Sequence, residues 1–131
     1  MNLTGECFCG EVKYQLNGPL KNPRSCHCSR CRKAFSGQAS AYAEVNPQDF
    51  TWTAGEALLT TYANQDGFGM RFCSKCGSKL CGIYKDRVHG IMLGCLNEDP
   101  GITLEQHIFV GSKAGWEVIP EGVPQYQEHA D

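Results

Sequence analysis

Long apolar runs are missing from this 131-residue chain. No stretch approaches the ~20 apolar residues that a membrane-spanning helix needs, and residues 1–10 hold no apolar core of signal-peptide length. We therefore expect a cytoplasmic protein whose cysteines stay reduced. The chain also lacks an internal repeat and a linker that would divide it, so we expect a single domain over residues 1–131.

Acidic residues are missing from one region of the sequence. Residues 12–43 contain no aspartate or glutamate, whereas their basic residues are Lys13, Lys21, Arg24, Arg30, Arg32 and Lys33. After Gly94 the balance reverses, with Lys113 as the single base among seven acids. The net charge of −2 gives no general case for nucleic-acid binding. The basic region either attracts a small anionic substrate or offsets the negative charge of thiolates and of the acidic C-terminal half.

Helical 3.6-residue periodicity is also missing over any long stretch. Short alternations of apolar and polar residues between glycine and proline turns instead predict a mostly β fold with antiparallel sheets. In the first alternation, residues 10–16, Val12, Tyr14 and Leu16 would share one face. Further strands are predicted over residues 41–45, 50–53, 58–62, 70–72, 80–84, 88–96, 107–110 and 116–119. One helical turn is expected over residues 32–36, ended by Gly37, and a loosely packed tail from residue 121.

Cysteine, by contrast, is abundant. The chain has nine cysteines, and an odd number cannot pair completely within one chain. Most of them are separated from the next cysteine by only one or two residues, which favours metal binding over a disulfide framework. The cysteine clusters are therefore the main candidates for function.

The first and last cysteine clusters predict a closed structural zinc site. Cys73 and Cys76 are separated by two residues and followed by a glycine, a turn that places two sulfurs on one side. Cys7 and Cys9 supply two more ligands, because residues two apart on an extended chain point the same way. Four sulfurs complete a tetrahedron around zinc. The alternative is a set of unligated thiols in the core.

The central cluster, Cys26, Cys28 and Cys31, has three sulfurs on one local segment and no fourth at a nearby spacing. Catalytic zinc keeps a coordination position for water or substrate, whereas structural zinc is closed by four protein ligands. Three thiolates make zinc a poor activator of water but allow it to bind another thiolate. The alternative is a second closed site whose fourth ligand is Cys81, Cys95 or a histidine. His27 lies between two ligands and would point away from the metal.

These clusters carry a resemblance to the glutathione-dependent formaldehyde-activating enzyme (GFA) family, whose members have the Mss4-like zinc-binding β fold. The matching segments, in order, are Gly5-Glu-Cys-Phe-Cys-Gly-Glu-Val-Lys-Tyr14, Cys26-His-Cys-Ser-Arg-Cys-Arg-Lys33, Arg71-Phe-Cys-Ser-Lys-Cys-Gly-Ser-Lys-Leu80, His107-Ile-Phe-Val-Gly-Ser-Lys-Ala-Gly-Trp116 and Gly122-Val-Pro-Gln-Tyr126. Five ordered motifs over most of the chain make the resemblance specific to the family.

The resemblance implies two Zn²⁺ ions as cofactors. One would be structural, on Cys7, Cys9, Cys73 and Cys76. The other would be catalytic, on Cys26, Cys28 and Cys31, where the thiol substrate of the family binds. It also implies that His107, Lys113 and Trp116 lie in a segment packed near these sites, either in contact with substrate or as a closing strand.

The activity that the resemblance implies is carbon–sulfur lyase chemistry. The reaction is the reversible addition of a thiol to a small aldehyde, which gives S-hydroxymethylglutathione from glutathione and formaldehyde. The expected partner is therefore a small anionic thiol such as glutathione. One alternative is a non-catalytic zinc module for protein binding or chaperoning. Another is a methionine-sulfoxide reductase, which would need Cys81 or Cys95 as its reactive thiol.

Overall fold

The computed structural model describes residues 2–130, which are mostly β. Within these residues the chain forms short strands and one α-helix, α1 (Ser29–Phe35). The strands are β1 (Asn2–Glu6), β2 (Lys13–Asn17), β3 (Lys21–Cys26), β4 (Ser40–Glu44), β5 (Phe50–Ala54), β6 (Leu59–Ala63), β7 (Phe68–Cys73), β8 (Lys79–Tyr84), β9 (Arg87–Met92) and β10 (Gln106–Ile108).

The described chain divides into two compact units. The first unit comprises residues 2–21 and 43–101, and the second comprises residues 22–42 and 102–130. In the first unit, β1, β2 and β5 form an antiparallel sheet in the order β1-β2-β5. Strands β6 to β9 form successive antiparallel pairs in the order β9-β8-β7-β6. The predicted antiparallel sheets are therefore confirmed.

The core of the first unit is built from the alternation predicted in the sequence. Val12, Tyr14 and Leu16 are each at most 1% exposed, as expected for one buried face of a strand. The Tyr14 ring stacks on Phe50 and contacts Trp52 edge-on, with ring centroids 4.9 and 6.0 Å apart. Aromatic pairs of this geometry add to the stabilisation from apolar burial.

Residue 5 is a glycine because Tyr14 occupies the space that a side chain would need, which the sequence alone does not reveal. Gly5 pairs with Tyr14 across β1 and β2. A Cβ atom on Gly5 would lie 2.2 Å from Tyr14 Cζ, which is closer than any ordinary contact. The absence of a side chain at residue 5 therefore lets the tyrosine ring lie flat against the neighbouring strand.

The second unit holds a parallel pair of strands, β3 and β10, in which His107 is opposite Ser25 and Ile108 is opposite Cys26. Helix α1 follows β3 directly. Its N-cap is Cys28, whose sulfur accepts from the backbone N–H of Cys31. A thiol thus takes the place of the usual serine or aspartate cap.

The structure corrects several predicted elements. Helix α1 begins at Ser29 rather than at residue 32, because the Cys28 cap starts it. Residues 116–119 form no strand. The tail is not loosely packed throughout, since Tyr126 N donates to His107 O and Gln125 bridges His107 in parallel. Those hydrogen bonds join residues far apart in sequence, which local patterning does not report.

Candidate metal centres

The four-cysteine cluster is formed by two segments of the first unit. The sulfurs of Cys7, Cys9, Cys73 and Cys76 all lie within 4.8 Å of one another. Two of the separations are 3.5 Å, between Cys7 and Cys9, and 3.9 Å, between Cys9 and Cys73. Four sulfurs placed ~2.3 Å from one tetrahedral ion would be ~3.8 Å apart. The spacing of the sulfurs therefore fits zinc.

Two glycine turns bring these sulfurs together. Gly10 N donates to Cys7 O, and Gly77 N donates to Cys73 O. Both glycines have φ near +80°, in the left-handed region that a side chain disfavours. The glycine that follows each pair of cysteines is thus required by the turn that folds the pair.

Two thiols of the four-cysteine cluster have pKa values shifted in opposite directions. The Ser78 hydroxyl, 3.4 Å from the sulfur, lowers the pKa of Cys76 to about 5. At Cys9 the backbone N–H of Glu11 lowers the pKa, but burial and the three neighbouring sulfurs outweigh it and raise the pKa to about 12. Close thiolates repel one another, so the cluster cannot ionise fully without a positive ion. A divalent metal would supply that charge.

The three-cysteine cluster lies in the second unit, where the sulfurs of Cys26, Cys28 and Cys31 are within 4.8 Å of one another. Cys26 ends β3, Cys28 caps α1, and Cys31 lies in the first turn of that helix. Hydrogen bonds from Cys26 and Cys31 lower the pKa of Cys28 to about 2, and hydrogen bonding with Cys28 raises the pKa of Cys26. Metal binding at these sulfurs would release the protons of the thiols that bind the ion.

Basic side chains surround the three-cysteine cluster in the sequence, and two of them have defined environments. Arg24 Nε donates to Tyr42 Oη over 2.9 Å, and the guanidinium lies 4.4 Å from the centre of the tyrosine ring. Arg32 follows Cys31 on α1, and its Nε is buried without a hydrogen-bond partner among the described residues. Arg30 and Lys33 are exposed on the same helix.

The two remaining cysteines lie in the core of the first unit. Cys81 is fully buried and belongs to the hydrophobic cluster, and Cys95 is partly buried against it. Burial raises the pKa of Cys81 to about 12 and that of Cys95 to about 11. Such thiols are poor nucleophiles at neutral pH, which argues against the reductase alternative. Among the described residues, neither belongs to a group that could hold a metal.

The other residues that the sequence singled out have different environments in the second unit. His107 is 9% exposed on β10, whereas Trp116 is 73% exposed. Lys113 Nζ donates to the carbonyl of Glu117 over 2.9 Å, so it fixes a turn. Glu117 itself was missed, although it directly follows the last residue of the motif; its carboxylate contacts His27.

The fold and the two clusters define a class of small β proteins with cysteine clusters that could hold metal. A family model described as glutathione-dependent formaldehyde-activating enzyme matches residues 2–112. The chain belongs to this family. No helix in residues 2–130 is both long enough and apolar enough to cross a membrane.

Two individual proteins are similar to the chain. One, from Halomonas elongata, is provisionally named a glutathione-dependent formaldehyde-activating enzyme; it is 30% identical over 125 residues, which cover 88% of the chain and 80% of that protein. The other is a Rhodobacter sphaeroides protein of known crystal structure, with a TM-score of 0.57 and 24% identity over 76% of the chain and 90% of that protein. The second likeness supports the fold alone.

Proposed function

We propose that the chain is a zinc-dependent enzyme that adds a thiol to a small aldehyde and reverses that addition, with glutathione and formaldehyde as its substrates. Its two Zn²⁺ ions would have different roles. Cys7, Cys9, Cys73 and Cys76 would hold a structural ion, and Cys26, Cys28 and Cys31 would hold a catalytic one. The observation that carries the proposal is the contrast between a group of four sulfurs and a group of three.

The proposed reaction is balanced without a further reagent. The thiol sulfur bonds to the aldehyde carbon, the carbonyl π bond breaks, and the thiol proton ends on the new hydroxyl oxygen. The reverse reaction breaks the carbon–sulfur bond. Zinc at the three cysteines would supply a Lewis acid that favours the thiolate form of the substrate.

The side chains near the triplet would bind and orient the substrate. Glutathione carries two carboxylates, and arginine is well suited to bind a carboxylate through two parallel hydrogen bonds. The exposed Arg30 and Lys33 would attract these groups. Arg32 has a buried Nε without a described partner, which makes it the best candidate for a direct contact. Arg24 is held by Tyr42 and would contribute positive charge in a fixed place.

Zinc K-edge spectroscopy with and without glutathione tests the proposal. We expect the mean sulfur coordination per zinc to rise when glutathione is added, because the thiolate joins the three-cysteine ion. NMR detection of S-hydroxymethylglutathione should then show that its formation from glutathione and formaldehyde is accelerated. S-methylglutathione, which has no free thiol, is the matched control and should change neither measurement.

Unchanged sulfur coordination with glutathione and several other thiols would overturn the proposal. It would instead favour a non-catalytic zinc module in which both ions only hold the fold. A rise in coordination without accelerated adduct formation would overturn the choice of formaldehyde as the aldehyde while keeping the thiol site.

A further inference from the structure

Three hydrogen-bonding side chains form a chain in the second unit that the proposed reaction does not use. Glu117 Oε1 lies 3.0 Å from His27 Nδ1, and His27 Nε2 lies 2.9 Å from His107 Nδ1. His27 is 1% exposed and the Glu117 side chain is 15% exposed. Polar groups withdrawn this far from water are costly unless they bond to one another, so the chain is a built feature of the fold.

The backbone holds Glu117 and His27 in place. Glu117 N donates to Ala114 O over 3.1 Å, and Lys113 Nζ donates to Glu117 O over 2.9 Å. His27 N donates to Ile108 O over 2.9 Å. The carboxylate therefore meets the imidazole from a turn that is itself fixed, rather than from a mobile surface side chain.

The carboxylate determines which nitrogens carry protons. An ionised carboxylate only accepts hydrogen bonds, so His27 must donate from Nδ1. With His27 neutral, its Nε2 accepts, and His107 must donate from Nδ1 in turn. Both rings are thus assigned the Nδ1–H tautomer, whereas a free histidine side chain in water favours Nε2–H. The assignment follows from the order of donors and acceptors along the chain.

The histidine rings and the sulfur of Cys26 lie on opposite faces of the segment. His107 pairs with Ser25, and Ile108 pairs with Cys26. Because side chains alternate along an extended chain, Ser25 and His27 point to one face and Cys26 points to the other. His27 is accordingly not a member of the three-sulfur group. The hydrogen-bonded chain therefore contacts the segment that carries the three cysteines without contributing a ligand to them.

We propose that Glu117, His27 and His107 form a clamp that positions Cys26 and Cys28 for metal binding. This inference rests on one part of the proposed function, namely that the three cysteines bind a metal ion. Metal ligands bind most strongly when neighbouring groups hold them in the bound geometry, and loss of such a group typically costs 10–100-fold in affinity. His27 and Glu117 are positioning residues here, and His107 is the partner that anchors them to β10.

The first test reads the tautomers directly. Long-range ¹H–¹⁵N NMR of the zinc-loaded protein should show His27 and His107 both protonated at Nδ1. Glu117→Ala should return His27 toward the Nε2–H form. Glu117→Gln keeps an acceptor oxygen and should preserve most of the Nδ1–H signal. The matched control is Glu121→Ala, an exposed glutamate in the same unit, which should change neither ring.

The second test reads metal affinity by competition with a chelator. Glu117→Ala should weaken one of two zinc sites about 10- to 100-fold, and Glu117→Gln should weaken it only a few-fold. The other site, on the four cysteines, serves as an internal reference and should keep its affinity. If Glu117→Ala fails to fold, the zinc affinity of Glu117→Gln is compared with that of Glu121→Ala instead, and only the Glu117 variant should show a loss.

The outcomes separate the clamp from the proposed function. Two zinc ions in the wild-type protein, with unchanged tautomers and affinity in the Glu117 variants, would overturn the clamp and leave the enzyme proposal intact. A single zinc that survives replacement of Cys28 would overturn the three-cysteine metal site, and with it both proposals. Altered tautomers with unchanged zinc affinity would overturn the positioning role.

Discussion

The two cysteine clusters differ in how far apart along the chain their ligands lie. In the four-cysteine cluster, Cys9 and Cys73 are 64 residues apart, whereas the three-cysteine cluster spans residues 26–31. A cross-link stabilises the folded state because it lowers the conformational entropy of the unfolded chain. Closing a 64-residue loop contributes about 4 kcal/mol to the free energy of unfolding, and closing a five-residue loop contributes about 2 kcal/mol. The first cluster is thus suited to stabilise the fold, and the second contributes less to it.

The two clusters also differ in the groups that surround them. In the four-cysteine cluster the protein itself provides four sulfurs and two glycine turns, which suffice to enclose an ion. In the three-cysteine cluster, one sulfur also caps a helix and basic side chains follow on the same helix. Similar cysteine spacings therefore occur in two different settings, one enclosed by four sulfurs and one open to basic side chains, as the proposed structural and catalytic roles require.

The largest effect is expected from Cys76→Ser in the four-cysteine cluster. Loss of one ligand should remove the proposed structural zinc and, with it, about 5 kcal/mol or more of folding free energy, a fall in Tm of roughly 15 °C. Thermal unfolding and zinc analysis check this. Cys95→Ser, in the same unit and outside both clusters, should cost only about 1–2 kcal/mol. Equal losses in the two variants would contradict a structural metal.

The second prediction concerns Cys28→Ser in the three-cysteine cluster. Serine is a good N-cap and can accept from Cys31 N, so α1 should persist, and loss of the short metal-closed loop should cost only about 2 kcal/mol or less. Adduct formation should nevertheless fall by about 100-fold or more, because a metal ligand is lost. Activity and Tm measured on the same sample check that activity falls much more than stability. A Tm loss as large as that of Cys76→Ser would erase the proposed difference between the clusters.

The third prediction tests whether packing, as well as metal, stabilises the first unit. Gly5→Ala places a Cβ against the Tyr14 ring and should cost about 1–3 kcal/mol through strain. Urea unfolding of the zinc-loaded protein measures it. Gly94→Ala, where a Cβ meets nothing within 4 Å, should stay within about 0.5 kcal/mol of wild type. Equal free energies of unfolding in the two variants would mean that the Tyr14 ring moves aside without cost, which would contradict the prediction.

The smallest effect is a pH dependence in the first unit. The hydroxyl and backbone N–H of Thr4 both donate to the Glu98 carboxylate over 2.6 Å and lower its pKa. A carboxyl with a lowered pKa stabilises the fold above its ordinary value of about 4.3, and the contribution disappears as the pH falls through the folded-state pKa.

The stabilisation lost in Glu98→Gln should therefore be larger near pH 7 than near pH 4. Tm values of the variant and wild type across this range check it, because zinc release at low pH affects both proteins alike. Glu56→Gln, an exposed residue of the same unit, is the control. A difference that is independent of pH would mean that the Thr4 hydrogen bonds do not depend on the charge.

Much of this architecture follows from local chemistry in the sequence. The alternation of Val12, Tyr14 and Leu16 predicted a buried strand face because side chains on a strand alternate in direction. The glycine after Cys76 predicted a turn because a left-handed backbone favours glycine, whereas the turn at Gly10 was not predicted, since Cys7 and Cys9 were expected on an extended chain. The grouping of Cys26, Cys28 and Cys31 was equally local, since all three lie within six residues.

Only the tertiary structure decided what depends on contacts between distant residues. The chain from Glu117 through His27 to His107 joins three segments of the second unit, and none of their local patterns indicates a hydrogen bond. The need for glycine at residue 5 comes from Tyr14 on the next strand. The sequence by itself determined most of the strands and the grouping of cysteines within each short segment, because these depend on backbone preferences and short spacings. The tertiary structure determined which side chains form hydrogen bonds with His27, between Cys26 and Cys28, because hydrogen bonds between distant residues depend on how the chain folds.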